Sequence, residues 1–168
     1  MTWGWMMSTN ATVTIVPVTL DNLALVLPLI ADYQRFYKVE PNDERNRIHF
    51  GRLATAPSQG AQWLAVDGDG AALGFVTAYR VLSSTLALER CLLNDLYVVP
   101  TARGRGVGRQ LIVHCGEWAL AQGYNGVYWR TAEDNHTAQR LYESLPTTRR
   151  TWIDYTLDAT ALAALRNR

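Results

Sequence analysis

Three arginines and three glycines crowd one short segment, Arg103-Gly104-Arg105-Gly106-Val107-Gly108-Arg109. Before it lies a strand-like apolar run, Leu93-Asn94-Asp95-Leu96-Tyr97-Val98-Val99, closed by Pro100, and after it a helical pattern starts at once. Strand, glycine-rich loop and helix N-terminus together make an anion cradle. Glycines allow close backbone approach to a phosphate, and the first unpaired N–H groups and the dipole of the helix favour negative charge. Arg103, Arg105 and Arg109 add charge-assisted donors. The implied ligand is a phosphorylated or pyrophosphorylated cofactor. A tight strand-to-helix turn with exposed arginines would have the same composition.

The spacing narrows the ligand. A Walker A loop ends in Gly-Lys-Ser/Thr, and this loop has no lysine. A Rossmann fingerprint sits near the start of a βαβ unit, whereas this loop lies past the middle of the chain. Arg-x-x-Gly-x-Gly, carried by Arg103, Gly106 and Gly108, resembles motif A of the GNAT superfamily of N-acetyltransferases, whose loop holds the pyrophosphate of acetyl-CoA. A second stretch, Trp129 to Glu143, resembles GNAT motif B, in which an Asn after the fifth strand contacts the cofactor and a Tyr seven residues later is the general acid. Asn135 and Tyr142 match both positions. Asn135 is equally a good N-cap for a helix carrying Ala138, Leu141, Tyr142 and Leu145 on one face, with Tyr142 then a packing residue. The resemblance runs over roughly residues 60 to 157.

What the resemblance implies is acetyl transfer from acetyl-CoA to a primary amine by direct attack. The cofactor would be held by the loop from Arg103 to Arg109. Its thioester carbonyl and pantetheine amides would meet backbone groups of Leu96, Tyr97 and Val98, and Asn135 and Tyr142 would complete the contacts. Tyr142 would protonate the departing thiolate, since a phenol with a pKa of about 10 keeps its proton at neutral pH. The amine must lose a proton: an alkyl ammonium of pKa about 10.4 costs about 4–5 kcal/mol to present neutral at pH 7. Polyamine and amino-acid acetyltransferases often carry Glu-Asp in the long strand, where this chain has Asn94-Asp95. Asn94 cannot act as a base. Asp95 is the candidate catalytic carboxylate, although strand neighbours face opposite sides and a buried structural carboxylate fits equally.

The acceptor side is less specific. Asp32, Tyr33, Tyr37, Glu40, Asp43 and Glu44 suit a cationic amine by ion pairing and cation–π contact, or are solvated helix ends. Of His49, His114 and His136, only His136 is expected near the cofactor. The acceptor would be a polyamine, an amino-acid-like amine or a lysine side chain. An alternative is a CoA-binding sensor module of the same fold without turnover, which intact Tyr142 speaks against. An RNA contact through the arginine–glycine pair is disfavoured by the net charge of +1.

At 168 residues, with 48% hydrophobic and 18% charged residues, the chain reads as one N-acetyltransferase domain, 1–168. The longest clean apolar run, Leu23 to Ile30, is interrupted by Pro28 and too short to span a bilayer. Neither nucleic acid nor membrane is expected as a partner, and no metal. Cys91 and Cys115 have no metal or redox spacing and read as reduced, partly buried thiols in a reducing compartment, the cytoplasm. Residues 1–10 lack the basic and apolar regions of a signal peptide and read as a frayed extension. Dimers are common in the family, so a homodimer is expected.

The elements that must position these residues follow from periodicity. Strands are predicted at Thr12–Val18, Gln62–Val66, Ala72–Leu82, Cys91–Val99, Val127–Arg130 and Thr151–Leu157. Helices are predicted from Asp21 as N-cap to Tyr37, then at 41–54, 107–122, Asn135–Leu145 and Ala159–Leu165. The order βααβββαβαβ predicts an α/β (α+β) fold. Its sheet would be mixed and mostly antiparallel, flanked by helices, with a splayed strand pair at the cofactor.

Overall fold

The computed structural model describes residues 12–166, so the expectation for residues 1–10 lies outside the described residues. The chain divides into two compact units after Asp134. In the first unit the elements are β1 (Thr14–Pro17), α1 (Leu23–Phe36), α2 (Asp43–Thr55), β2 (Gly60–Val66), β3 (Ala72–Ser83), β4 (Leu88–Val98), a 3-10 turn (Pro100–Ala102), α3 (Val107–Ala121) and β5 (Val127–Tyr128). The second unit contains α4 (His136–Glu143) and α5 (Ala159–Arg166).

The five strands lie in sequence order, β1-β2-β3-β4-β5. The first three pairings are antiparallel and β4–β5 is parallel, the direction that requires a crossover, which α3 supplies. The turn between β2 and β3 is made by Asp67, whose carboxylate accepts from the N–H groups of Asp69 and Ala71, with Gly70 at φ 81°. Strands β2 and β3 are buried along most of their length because helices cover both faces of the sheet. On one face Leu64 and Phe75 pack with Val26, Leu29 and Ile30 of α1 and with Phe50 and Leu53 of α2. On the other, Trp63 meets His114 and Trp118 of α3 edge-on.

Helix α2 starts at Asn42, whose side chain accepts from Arg45 N–H, with Asp43 and Glu44 in the first turn. The cap expected at Asp21 falls on Asn22 instead. Its amide does not cap the helix: it accepts from Thr19 N–H and donates to the Pro17 carbonyl, tying the β1–α1 loop. Helix α3 ends at Gly123, at φ 85°, where Tyr124 N–H donates to the Ala119 carbonyl.

The strand predicted at Thr151–Leu157 is absent: these residues have no regular structure, and Trp152, Ile153 and Tyr155 are 73, 76 and 90% exposed. Alternation records a preference for a pleated surface, but a strand also needs an edge to pair with, and the segment has none in its own unit. No helix among the described residues is long and apolar enough to cross a membrane.

Candidate active site

Strand β4 ends where the arginine–glycine loop begins. The 3-10 turn is anchored by the buried Ala102 and by Val99 N–H donating to the Leu73 carbonyl across to β3. Arg103 folds back: its Nε donates to the Val98 carbonyl at 3.0 Å, and its guanidinium lies 5.9 Å from the centre of the Tyr97 ring. Gly104 and Gly106 take φ values of 75° and 80°, the left-handed region that favours glycine. A Cβ at either position would meet nothing within 4 Å, so the loop presents bare backbone to open space. Gly106 is the N-cap of α3 and offers no side chain to its first-turn N–H groups. Val107 is buried and so contributes backbone only, whereas Gly108 lies in the first turn and Arg105 and Arg109 are exposed. Among the described residues neither Arg105 nor Arg109 is held in an ion pair. Open glycines, orphan N–H groups and uncommitted guanidiniums form a donor set suited to a pyrophosphate.

β5 pairs with β4 only at Cys91 and Leu92, while β3 stays in register with β4 as far as Val98. The β5-side edge of β4 is therefore unpaired by β5 through Leu96, Tyr97 and Val98.

Asn94 sits in a β-bulge: Thr77 pairs with Asp95 and Ala78 with Leu93, so Asn94 has no partner on β3. The extra residue shifts the phase of the strand. Cys91 lies against Cys115 of α3, whereas Asp95 and Tyr97 lie against Tyr33 of α1. The expectation that Asn94 and Asp95 face apart is corrected here, because Asn94 Nδ2 donates to Asp95 Oδ1 at 2.9 Å and the bulge brings the two side chains together.

Asp95 is 7% exposed, and burial raises its carboxyl above the ordinary range against the opposing hydrogen bonds from Thr77, Tyr33 and Asn94. Thr77 accepts from Gln62 Nε2 at 2.8 Å, which frees its own proton for Asp95. Gln62, Thr77 and Asp95 thus form one cross-strand row over β2, β3 and β4. Tyr33 is pushed up by burial and then by the charge of Asp95. It stands edge-on to Tyr37, Phe75 and Tyr97. A reciprocal amide pair, Gln34 with Asn46 at 2.8 Å in both directions, clamps α1 to α2 and so sets Tyr33 against the sheet.

His49 of α2, which the sequence leaves outside the site, is 3.1 Å from the Tyr79 hydroxyl through Nε2. Tyr79 of β3 is raised to about 12, by burial first and then by the Asp95 charge. The signal for this cluster was the recurrence of polar side chains, Gln62, Thr77 and Tyr79, inside otherwise apolar strands. Asp32 pairs with Arg35 at 2.8 Å on the exposed side of α1. Of the other acidic residues named, Glu40, Asp43 and Glu44 are exposed.

In the second unit, Asn135 Oδ1 accepts from Ala138 N–H at 3.2 Å, so the cap expected on α4 is formed. Ala138, Leu141 and Tyr142 are half-buried along one side of the helix, as is Leu145 just past its end, and the Tyr142 carbonyl accepts from the Thr147 hydroxyl at 2.9 Å. Among the described residues no cluster of ligands suited to a metal occurs.

The model of the acetyltransferase (GNAT) family matches residues 27–145 of this chain. Over 114 residues the chain is 40% identical to the D-amino-acid N-acetyltransferase of Saccharomyces cerevisiae, spanning 66% of this chain and 70% of that protein. It is 30% identical over 123 residues to an uncharacterized N-acetyltransferase of Bacillus subtilis, spanning 73% and 81%. Among solved structures it is similar to a probable acetyltransferase, with a TM-score of 0.76 and 30% identity over 86% of this chain and 97% of that one. An aminoglycoside N-acetyltransferase in complex with CoA shares the fold at a TM-score of 0.78 and 19% identity over 89% and 96%. The chain belongs to the acetyltransferase (GNAT) family. It is an acetyl-transferring enzyme, and its acetyl donor is acetyl-CoA.

Proposed function

We propose that this enzyme acetylates the primary amine of a small, amino-acid-like molecule, with Asp95 facing the ammonium and Tyr142 protonating the leaving thiolate. The observation that carries the acceptor class is the buried carboxylate of Asp95 on the α1 face of the sheet, ringed by the hydroxyls of Tyr33 and Thr77 and by aromatic rings. Gln62 Oε1 beside it is buried with no hydrogen-bond partner. A buried carboxylate with a second, unmet acceptor beside it suits a ligand with several N–H donors, which an ammonium supplies. The yeast relative acts on D-amino acids by its name, which supports amino-acid-like amines over polyamines and lysine side chains.

Acetyl-CoA supplies the thioester when bound. The loop from Arg103 to Arg109, with bare backbone at Gly104 and Gly106, is the proposed pyrophosphate cradle. The edge of β4 at Leu96, Tyr97 and Val98 is proposed to pair the pantetheine amides, and Asn135 to add a contact beyond its capping bond. Asp95 takes the ammonium proton, which burial favours by raising its basicity. The freed lone pair would form the C–N bond as the C–S bond breaks; Tyr142 would give its hydroxyl proton to sulfur, and the second proton that the nitrogen sheds on becoming an amide would return to the Tyr142 oxygen by way of solvent. The family match runs through the division after Asp134, which supports reading 1–168 as one N-acetyltransferase domain. The buried free thiols of Cys91 and Cys115 support a reducing, cytoplasmic setting.

The test is a panel of D- and L-amino acids, polyamines, an aminoglycoside and a lysine peptide, following release of the CoA thiol. Turnover confined to amino-acid-like amines is expected. Preference for any other class overturns the acceptor assignment.

A further inference from the structure

Among the described residues two buried side-chain polar atoms lack a hydrogen-bond partner, Gln62 Oε1 and Thr131 Oγ1. A polar atom that gives up water and gains no bond is destabilising, so each needs a partner that the chain does not supply. Gln62 belongs to the row that runs through Thr77 to Asp95. Thr131 lies beyond β5, whose last pairing with β4 joins Tyr128 to Leu92. It is three residues past Tyr128. On β4 the third level past Leu92 is Leu96, because Asn94 is the extra residue of the bulge: Leu93 pairs with Ala78, Asp95 with Thr77 and Leu96 with Val76. At the rise of an extended chain Thr131 therefore comes level with Leu96, one residue past Asp95.

That level is where the proposed cofactor path and the proposed amine position meet. The loop from Arg103 to Arg109 marks the far end of the path, and the β4 edge at Leu96, Tyr97 and Val98 carries its arm. The buried carboxylate of Asp95 marks the amine. Arm and amine join at the thioester. We propose that the Thr131 hydroxyl donates a hydrogen bond to the thioester carbonyl oxygen and is a further catalytic residue. The proposal rests on the β4 edge as the cofactor's berth, with Asp95 facing the ammonium. As the C–N bond forms, electron density moves onto that oxygen, and a fixed donor stabilises it there more than in the ground state. The density returns as the C–S bond breaks, and Thr131 keeps its hydrogen throughout. A hydroxyl already held out of water needs no reorganisation when the charge develops.

Three measurements test it. Thr131→Val keeps the branched shape and removes the hydroxyl, while Thr131→Ser keeps the hydroxyl. In the unliganded protein Thr131→Val should melt no lower than wild type, since it removes a buried group that has no partner. A clear drop in Tm would assign the hydroxyl to the fold and overturn the proposal. In the acetyl-CoA complex without amine, the carbonyl stretch of a carbon-13-labelled acetyl group should lie at lower frequency in wild type and Thr131→Ser than in Thr131→Val. One frequency for all three overturns the proposal. In turnover Thr131→Val should lose about 10²-fold in kcat with acetyl-CoA affinity little changed, and Thr131→Ser should recover most of that loss. Wild-type kcat in Thr131→Val beside a crippled Asp95→Asn overturns the donor and leaves the acceptor reading intact. Full activity in Asp95→Asn beside a crippled Thr131→Val that has lost the frequency shift removes the acceptor reading and keeps the donor.

Discussion

Tyr142 and Asp95 carry opposite halves of the proposed proton traffic, and each yields a separable test. Tyr142→Phe keeps the ring on the half-buried side of α4 and deletes only the donor. General acid catalysis is worth roughly 10²–10⁴-fold, so kcat should fall by about that much while the acetyl-CoA dissociation constant stays put. Wild-type turnover in the Phe variant would assign the proton to water. For Asp95 the folded carboxyl titrates above its unfolded value of about 3.9 because of burial. The stability that this shift contributes is present at pH below the unfolded value and is lost as pH rises through the raised folded one. Asn at this position stays neutral throughout. The wild type should therefore be most stable relative to Asp95→Asn near pH 3, and its advantage should shrink as pH climbs toward 7. Denaturant melts across that range check the sign, and a flat difference would show that the site is not desolvated.

At the scale of elements, two devices on β4 decide what the strand can do. The bulge at Asn94 turns Asp95 and Tyr97 toward α1 while Cys91 faces α3, so one strand presents side chains to the helices on both sides of the sheet. The early end of β5 leaves the rest of that edge without a β5 partner. Beyond them, the loop depends on left-handed backbone at Gly104 and Gly106. Gly106→Asp places a strained backbone and a negative charge at the head of α3, where the dipole is positive only at its own scale of about half a charge. Acetyl-CoA binding by calorimetry should be abolished while circular dichroism stays native. Unchanged affinity would remove the pyrophosphate assignment. The 151–157 segment shows the reverse case, a strand pattern without an edge to complete it.

For the whole molecule, ligand binding and stability are linked. Acetyl-CoA at a hundred times its dissociation constant should add about 2.7 kcal/mol, which for a chain of 168 residues raises Tm by roughly 5–10 °C. A thermal shift series against CoA, acetyl-CoA and desulfo-CoA measures this. A rise with RNA and none with acetyl-CoA would contradict the site. Net charge of +1 makes the proposed anion site local, so its salt dependence should be set by Arg105 and Arg109 and not by the field of the molecule.

The amino-acid sequence by itself determined the elements of the first unit to within a few residues. It also determined the glycine-rich turn before α3 and the capped helix after Asn135, because these are local: periodicity, turn chemistry and caps act over four residues or fewer. The family was legible for the same reason, since its motifs are short and contiguous. Tertiary structure alone decided the polar cluster around Asp95. Gln62, Thr77 and Asp95 are far apart in sequence and meet only through strand register. The side on which Asp95 falls depends on one unpaired residue, Asn94, that no alternation pattern announces. His49 reaches Tyr79 because α2 is clamped to α1 by Gln34 and Asn46. Register, bulges and helix docking are settled by packing over the whole core, and so they become readable only once the chain is folded.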